Sequence, residues 1–165
     1  MAVAAARDAG AEVTEVDLRE YPLPIFDQDL EAAEGAPASA VALREVLMAH
    51  SGLLIASPEY NTSVTPLLKN TIDWVSRPDS DLGVGAAFKD KVAGIMSASP
   101  GRFGGVMSQT HLRGILSALG VMVLPGLVTV PQAAKAFDGE SRLIDERTRA
   151  AVGRLSRSLV DQLRA

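Results

Sequence analysis

Short runs of aliphatic residues alternate with amphipathic segments along most of this chain. Two runs, residues 52–56 and 92–96, are bounded by turn residues, which is typical of buried strands in a parallel sheet. Residues 121–124 and 127–130 are also apolar and predict one interrupted strand. Because these strands alternate with predicted helices, the pattern indicates an α/β protein with a largely parallel sheet.

The segments between the strands carry helical periodicity and helix-ending signals. Helices are predicted from the start to Ala9, and over residues 37–50, 66–77, 106–120 and 152–163. Residues 12–18 alternate apolar and acidic positions and predict a half-exposed edge strand. The acidic residues through Glu34 predict a solvated loop, and a polar, glycine-containing loop is expected from residue 78 to about Phe88.

Composition limits the class of protein. The chain has 165 residues, of which 47% are hydrophobic, and this suits one domain over residues 1–165. The net charge is −4 with both signs scattered, which argues against nucleic acid or an anionic membrane as partner. The sequence contains no cysteine, so disulfides, thiolate metal sites and cysteine nucleophiles are excluded. The apolar runs are short and no leader pattern is visible, so we expect a cytoplasmic protein without membrane spans.

The first candidate site is the loop Ser57-Pro58-Glu59-Tyr60-Asn61, which directly follows the predicted strand 52–56. A loop at the carboxyl end of a parallel strand faces the crevice where open α/β sheets bind ligands. An aromatic ring, a carboxylate and an amide together suit a flat heteroaromatic cofactor. The alternative is an ordinary turn, because proline and asparagine are common turn residues.

The second candidate site, Ser99-x-Gly101-x-x-Gly104-Gly105, lies between the strand at residues 92–96 and the next helix. Glycine allows close approach of a ligand to backbone N–H groups, although such glycines also serve plain tight turns. The motif differs from a dinucleotide fingerprint, which belongs on the first strand. Because the two strands are consecutive, we expect both loops at one sheet edge, where they would line a cleft.

A third motif, Leu68-Lys69-Asn70-x-Ile72-Asp73-Trp74, lies on the helix after the first loop. The three motifs in this order resemble the NADPH-dependent FMN reductase family, and the resemblance extends from about Gly10 to Leu124. It implies a flavodoxin-like, doubly wound sheet that binds FMN and uses NAD(P)H as co-substrate. It also implies a homodimer or homotetramer, formed through the helix at residues 68–74 and the helix after Gly105.

The resemblance assigns seven cofactor-binding residues on two sides of the flavin. On one side the isoalloxazine ring would be wrapped by Pro58, Glu59, Tyr60 and Asn61. On the other side its edge would be covered by Ser99, Gly101 and Gly104.

The implied activity is hydride transfer from a nicotinamide nucleotide through flavin to a small acceptor such as a quinone. The cofactor performs the difficult step, so the protein needs no nucleophile and no metal. Two other interpretations stay open: a non-catalytic flavodoxin-like fragment, and a flavodoxin-type electron carrier, against which the Glu-Tyr-Asn loop argues.

Other polar and aromatic residues near these motifs have structural interpretations. His111 is interpreted as a surface or interface residue and Trp74 as a packing residue. Glu59 is expected to make a structural hydrogen bond near the ring. For Arg102, binding of a nicotinamide phosphate and simple solvation remain alternatives.

The start of the chain departs from the family pattern. Members begin with an apolar strand and a Gly-Ser-x-Arg-x-x-Ser-x-Asn loop for the FMN phosphate, whereas Met1 lies inside the first predicted helix. We therefore expect that the first, internal strand is lacking and that residues 12–17 do not hydrogen-bond to residues 53–56. We also expect this chain alone to be unstable and to purify without flavin.

Overall fold

The computed structural model describes residues 1–78 and 82–165. Its strands are β1 (Gly52–Ala56), β2 (Val92–Ala98), β3 (Met122–Val123) and β4 (Val128–Val130). The helices are α1 (Ala2–Asp8), α2 (Gln28–Glu34), α3 (Ala38–Met48), α4 (Pro66–Val75), α5 (Val106–Ala118), α6 (Ala133–Ala136) and α7 (Glu146–Arg164). A short 3₁₀ helix covers Leu18–Glu20.

β2 is the central strand of a wholly parallel sheet. One edge of β2 pairs with β1, so that Gly52 lies beside Val92 and Ala56 beside Met96. The other edge pairs with β3 at residues 92–93 and with β4 at residues 96–98. The prediction of one interrupted strand over residues 121–130 is therefore confirmed. The interruption is bridged by Arg113, whose guanidinium donates to the carbonyls of residues 123, 124 and 126.

Helices cover both faces of the sheet. On one face, Ala93 and Ile95 pack with apolar residues of α3, α4 and α5. On the other face, Val92 and Met96 pack with α7, and α1 lies against α7. Neighbouring residues of β2 thus point into two separate cores, which explains its nearly continuous apolar sequence. The α/β, flavodoxin-like class expected from the sequence is confirmed.

The predicted edge strand at residues 12–18 is wrong. Residues 11–17 carry no strand pairing, although Val13 is half-buried as its alternating pattern suggested. The segment is held by side chains: Arg7 donates to the Val13 carbonyl, and the Thr14 hydroxyl lies 2.9 Å from His50 Nε2. A strand requires a ladder partner, and alternating polarity alone does not supply one. As expected, no backbone hydrogen bond among the described residues joins this segment to β1.

The predicted acidic loop before Glu34 is also wrong, because α2 forms there. Its N-cap is Asp27, whose carboxylate accepts from the N–H groups of Asp29 and Leu30. Acidic residues in a first helical turn interact favourably with the helix dipole. The helix ends at Gly35, which has a φ of 77°. The acidic residues that suggested a solvated loop are thus those that favour a helix start.

The other predicted helices correspond to α1, α3, α4, α5 and α7 within a few residues at each end. Part of the predicted loop between residues 78 and 88, namely residues 79–81, lies outside the described residues. Within residues 1–78 and 82–165, the helices are too short or too polar to cross a membrane.

Candidate cofactor site

Both candidate loops leave the same edge of the sheet. β1 and β2 are parallel neighbours in register, and the Ser57 N–H donates to the Met96 carbonyl at 3.1 Å just beyond the end of β1. Because the carboxyl ends of these strands coincide, residues 57–63 and 99–105 lie side by side. The predicted placement of the two loops is confirmed.

The first loop contains a tight hairpin, which we call the Tyr60–Ser63 hairpin. The backbones of these two residues exchange hydrogen bonds of 3.1 and 3.0 Å. Between them, Asn61 and Thr62 have φ values of 47° and 59°, as a type I′ turn requires. Asparagine tolerates this left-handed region, whereas β-branched threonine is strained there. The turn leaves the Tyr60 side chain 57% exposed at the sheet edge.

Glu59 joins the first loop to the helix that follows the second. The N-cap of α5 is Gly105, which has no side chain to satisfy the free N–H groups of the first turn. Glu59 Oε2 accepts from the Ser108 N–H at 2.9 Å and so acts as a cap from another part of the chain. This is the structural hydrogen bond expected of Glu59.

A second hydrogen bond joins the hairpin to α5. The Ser63 hydroxyl lies 3.0 Å from His111 Nδ1, one helical turn beyond Ser108. His111 is exposed, which agrees with its interpretation as a surface residue. The two side-chain contacts fix the hairpin against the first two turns of α5.

The glycines of the second loop fall into two kinds. Gly104 and Gly105 have φ values of 60° and 92°, and both are buried. A Cβ on Gly104 would lie 2.7 Å from the Pro131 nitrogen, and one on Gly105 would lie 2.4 Å from Ser97 Oγ. Gly101 is exposed, and its nearest neighbour would be Ser99 Oγ at 3.7 Å. The fold therefore requires glycine at 104 and 105, whereas a Cβ at 101 would make only an ordinary van der Waals contact.

Ser99 makes hydrogen bonds that hold the glycine loop in its conformation. Its hydroxyl accepts from the Gly101 N–H at 3.3 Å, and its own N–H donates to the Val130 carbonyl at 3.1 Å. Its carbonyl accepts from Ala133 at 3.0 Å, and the Gly101 carbonyl accepts from Gln132 at 3.1 Å. These bonds tie the glycine loop to the chain that leaves β4.

Phe103 lies within the second candidate site, but the sequence pattern assigned it no role of its own. This ring is 63% exposed, and the Arg102 guanidinium stacks on it at 4.7 Å. An aromatic residue inside a glycine-rich loop was the available signal. Together with Tyr60, Phe103 gives each of the two loops an exposed aromatic ring.

The third motif holds a neighbouring segment in place. Trp74 is fully buried, its Nε1 donates to the Pro24 carbonyl at 2.7 Å, and its ring meets Phe26 edge to face at 4.9 Å. Asn70 donates to the Pro24 carbonyl and accepts from the Phe26 N–H. The interpretation of Trp74 as a packing residue is confirmed.

A groove of about 480 Å³ lies beyond β4, and its walls include Gln132, Lys135, Ile144 and Thr148. None of the seven predicted cofactor residues lines it. It shares only the Gln132 segment with the glycine loop, so it is separate from the sheet edge at which the two candidate loops lie.

Comparison with known proteins agrees with the three motifs. The chain is 40% identical to an NAD(P)H-dependent FMN reductase of Pseudomonas aeruginosa over 131 residues, which cover 79% of this chain and 68% of that protein. It is 36% identical to an NADPH:quinone oxidoreductase of Arabidopsis thaliana over 157 residues, covering 91% and 74%.

Comparison with a solved structure agrees with these sequence similarities. The chain superposes on FerB, a flavoenzyme NAD(P)H:(acceptor) oxidoreductase from Paracoccus denitrificans, with a TM-score of 0.74 and 26% identity, covering 96% of this chain and 85% of that one. Residues 1–135 match the family described as NADPH-dependent FMN reductase. Since this match includes both loops and the third motif, the chain belongs to the NADPH-dependent FMN reductase family.

Proposed function

We propose that this protein is an NAD(P)H-dependent FMN oxidoreductase that transfers hydride from a nicotinamide nucleotide through flavin to a small acceptor such as a quinone. The observation that carries the proposal is that the two loops lie at one sheet edge, where the Glu59–Ser108 hydrogen bond of 2.9 Å joins the first loop to the helix that follows the second. Family membership supplies the chemistry, and the quinone acceptor follows the Arabidopsis thaliana relative.

The residues present fit the ring end of FMN. Tyr60 and Phe103 offer exposed aromatic surface on the two loops, and Gly101 leaves space between backbone and ligand. Isoalloxazine is a flat ring with polar edges, so it needs an apolar face together with backbone donors and acceptors. We assign it to this cleft rather than to the groove beyond β4, because adjacent parallel strands end here.

We assign the seven residues of the two loops to cofactor binding in two roles. Contact with the ring is assigned to Pro58, Tyr60, Asn61, Ser99 and Gly101. Glu59 and Gly104 position the loops, because the Glu59 carboxylate already accepts from α5 and Gly104 is buried against β4.

When bound, FMN supplies the hydride chemistry. The two loops would hold and orient the ring, and Arg102, which stacks on Phe103, would supply a cation beside it. Arg102 is exposed and suits a phosphate of the nicotinamide nucleotide.

We further propose a single domain over residues 1–165 that works in the cytoplasm, where NAD(P)H is available, as a homodimer or homotetramer. Trp74 on α4 is covered by Pro24 and Phe26 of the same chain, so it gives no support for association. The support lies in Leu67 on α4 and Met107 on α5, which are 47% and 44% exposed. Sedimentation that shows only monomer at micromolar concentration would contradict association.

The cofactor assignment is tested by titrating the purified protein with FMN and, separately, with riboflavin, while flavin fluorescence is followed. Because the assigned contacts face the ring, Tyr60→Leu should weaken binding of both flavins by about tenfold, the worth of one aromatic stack. Phe137→Leu, which changes a 40% exposed aromatic residue outside the cleft, should leave both affinities unchanged. Equal effects of the two variants would overturn the assignment.

The reaction is tested by following NADH and NADPH oxidation by the FMN-loaded protein, with a soluble quinone as acceptor. Turnover that requires both FMN and quinone supports the reductase. Flavin binding without NAD(P)H oxidation would favour the electron-carrier alternative, and failure to bind flavin would favour the non-catalytic one.

A further inference from the structure

Beneath the glycine loop lies a buried polar cluster that neither candidate motif contains. Ser97, near the end of β2, donates through its hydroxyl to the carbonyls of Gly104 and Gly105 at 2.8 and 3.0 Å. The same oxygen accepts from Gln109 Nε2 at 2.8 Å, and Nε2 also donates to the Val128 carbonyl at 2.7 Å. Two side chains thus connect β2, the glycine loop, α5 and β4.

The orientation of the Gln109 amide is fixed by its partners. The Val128 carbonyl can only accept, so the NH₂ group must face it. Oε1 then lies buried without a hydrogen-bond partner in the described part of the chain, and Gln109 as a whole is 1% exposed. A buried acceptor without a partner is unfavourable, and a leucine at this position would avoid that cost. The amide is therefore better explained by its two donated bonds than by core packing.

The cluster acts on the start of α5. The Gly104–Gly105 turn is held between the Ser97 side chain and the β4 backbone, with no room for a Cβ at either glycine. The Ser108 hydroxyl donates to the Gly105 carbonyl at 2.8 Å, and the Ser108 N–H is the group that Glu59 accepts from. A continuous series of hydrogen bonds therefore runs from Gln109 through Ser97 and the turn to the loop on the other side of the cleft.

We infer that Ser97 and Gln109 are positioning residues that set the width of the flavin cleft by fixing the first turn of α5. Neither residue needs to contact the flavin. The inference rests on the proposed function, since it concerns the geometry of the cleft assigned to FMN. It predicts that loss of the Ser97 hydroxyl loosens the Glu59–Ser108 contact and weakens flavin binding by more than its effect on folding explains.

The test compares Ser97→Ala with Ser156→Ala, both measured on the full chain. Ser156 is also fully buried, and its hydroxyl donates to the Val152 carbonyl at 3.1 Å within α7, away from the cleft. Ser156→Ala should be nearly neutral, because the Val152 carbonyl keeps its helical N–H partner, whereas Ser97→Ala should lower thermal stability because it removes three buried hydrogen bonds. Flavin binding is therefore compared at a temperature where both variants are fully folded. Only Ser97→Ala should weaken FMN and riboflavin binding, by about tenfold, and shift the visible spectrum of bound flavin. Gln109→Met, which keeps the volume and removes both donors, should act like Ser97→Ala.

A second measurement does not depend on flavin. Hydrogen exchange of the Ser108 amide, followed by NMR in the flavin-free protein, should be about tenfold faster in Ser97→Ala than in Ser156→Ala, because the bond to Glu59 opens more often. Equal flavin affinities and equal Ser108 exchange in the two variants would overturn the inference and leave the proposed function standing. If the unaltered protein binds no flavin, the proposed function fails, and the exchange rates alone decide whether the cluster positions α5.

Discussion

The two loops at the sheet edge occupy equivalent positions but are held by different means. The Tyr60–Ser63 hairpin is exposed and is held from outside, by Glu59 and Ser63 against α5. The glycine loop is held from inside, by Ser97 and by close backbone packing against β4. We therefore expect changes in the hairpin to affect folding less than changes at Gly104 and Gly105, the buried end of the glycine loop.

The largest difference in stability should be between substitutions at the buried Gly104 and at the exposed Gly101. Gly104→Ala is expected to lower the free energy of unfolding by about 3 kcal/mol, because it combines left-handed backbone strain with overpacking against backbone atoms that cannot move aside. Gly101→Ala should change it by less than about 0.5 kcal/mol, since its Cβ would make only an ordinary contact with Ser99 Oγ. Chemical denaturation of both variants checks this. Equal losses would show that the glycine loop is not divided as we describe.

The next largest effect on stability should come from Glu59, which caps α5 from the first loop. Glu59→Ala should lower the free energy of unfolding by about 1 kcal/mol, the usual worth of a helix cap. Glu59→Gln retains an acceptor oxygen but loses the charge that favours a helix N-terminus, and should cost about half as much. Glu45→Ala on α3 removes an exposed glutamate elsewhere and should be nearly neutral. If Glu59→Ala is as neutral as this control, the contact does not stabilise the fold.

A substitution in the hairpin should be able to raise the stability of the protein, in contrast to substitutions at the buried glycines. Thr62→Gly removes the left-handed strain of a β-branched residue, and the greater flexibility of glycine in the unfolded chain offsets part of the gain. We expect a net increase of about 0.5 kcal/mol in the free energy of unfolding. Asn61→Gly should gain less, because asparagine already tolerates this conformation. A loss of stability in Thr62→Gly would argue against the type I′ turn.

The smallest effect on stability should come from the contact between Ser63 and His111. Ser63→Ala removes an exposed hydrogen bond to His111, and water can replace it on both sides. The free energy of unfolding should therefore fall by less than about 0.5 kcal/mol. A double-mutant cycle with His111→Ala measures the coupling free energy between the two side chains. A coupling above about 1 kcal/mol would show that this contact stabilises the fold as much as the Glu59 cap.

Much of this arrangement could be predicted from local sequence. The runs at residues 52–56 and 92–96 are apolar on both faces and end at turn residues, so strand, burial and loop position follow from neighbouring residues. The seven predicted cofactor residues follow those strands, so their place at one sheet edge could be predicted, and their contact with flavin stays a prediction. The edge strand at residues 12–18 was wrongly predicted because strand formation depends on a partner. The helix at residues 28–34 was missed because acidic residues suit both a solvated loop and a helix start.

The sequence by itself thus determined the α/β class, the interrupted last strand, the two loops and the family. Only the tertiary structure decided how the loops are held. Trp74 meets Pro24, Glu59 caps α5, and Gln109 reaches Val128, and the partners in each pair are 50, 49 and 19 positions apart. Periodicity and turn chemistry reflect the interactions of a residue with its near neighbours. Hydrogen bonds between distant segments depend on how the helices pack on the sheet, so they appear only when the chain has folded.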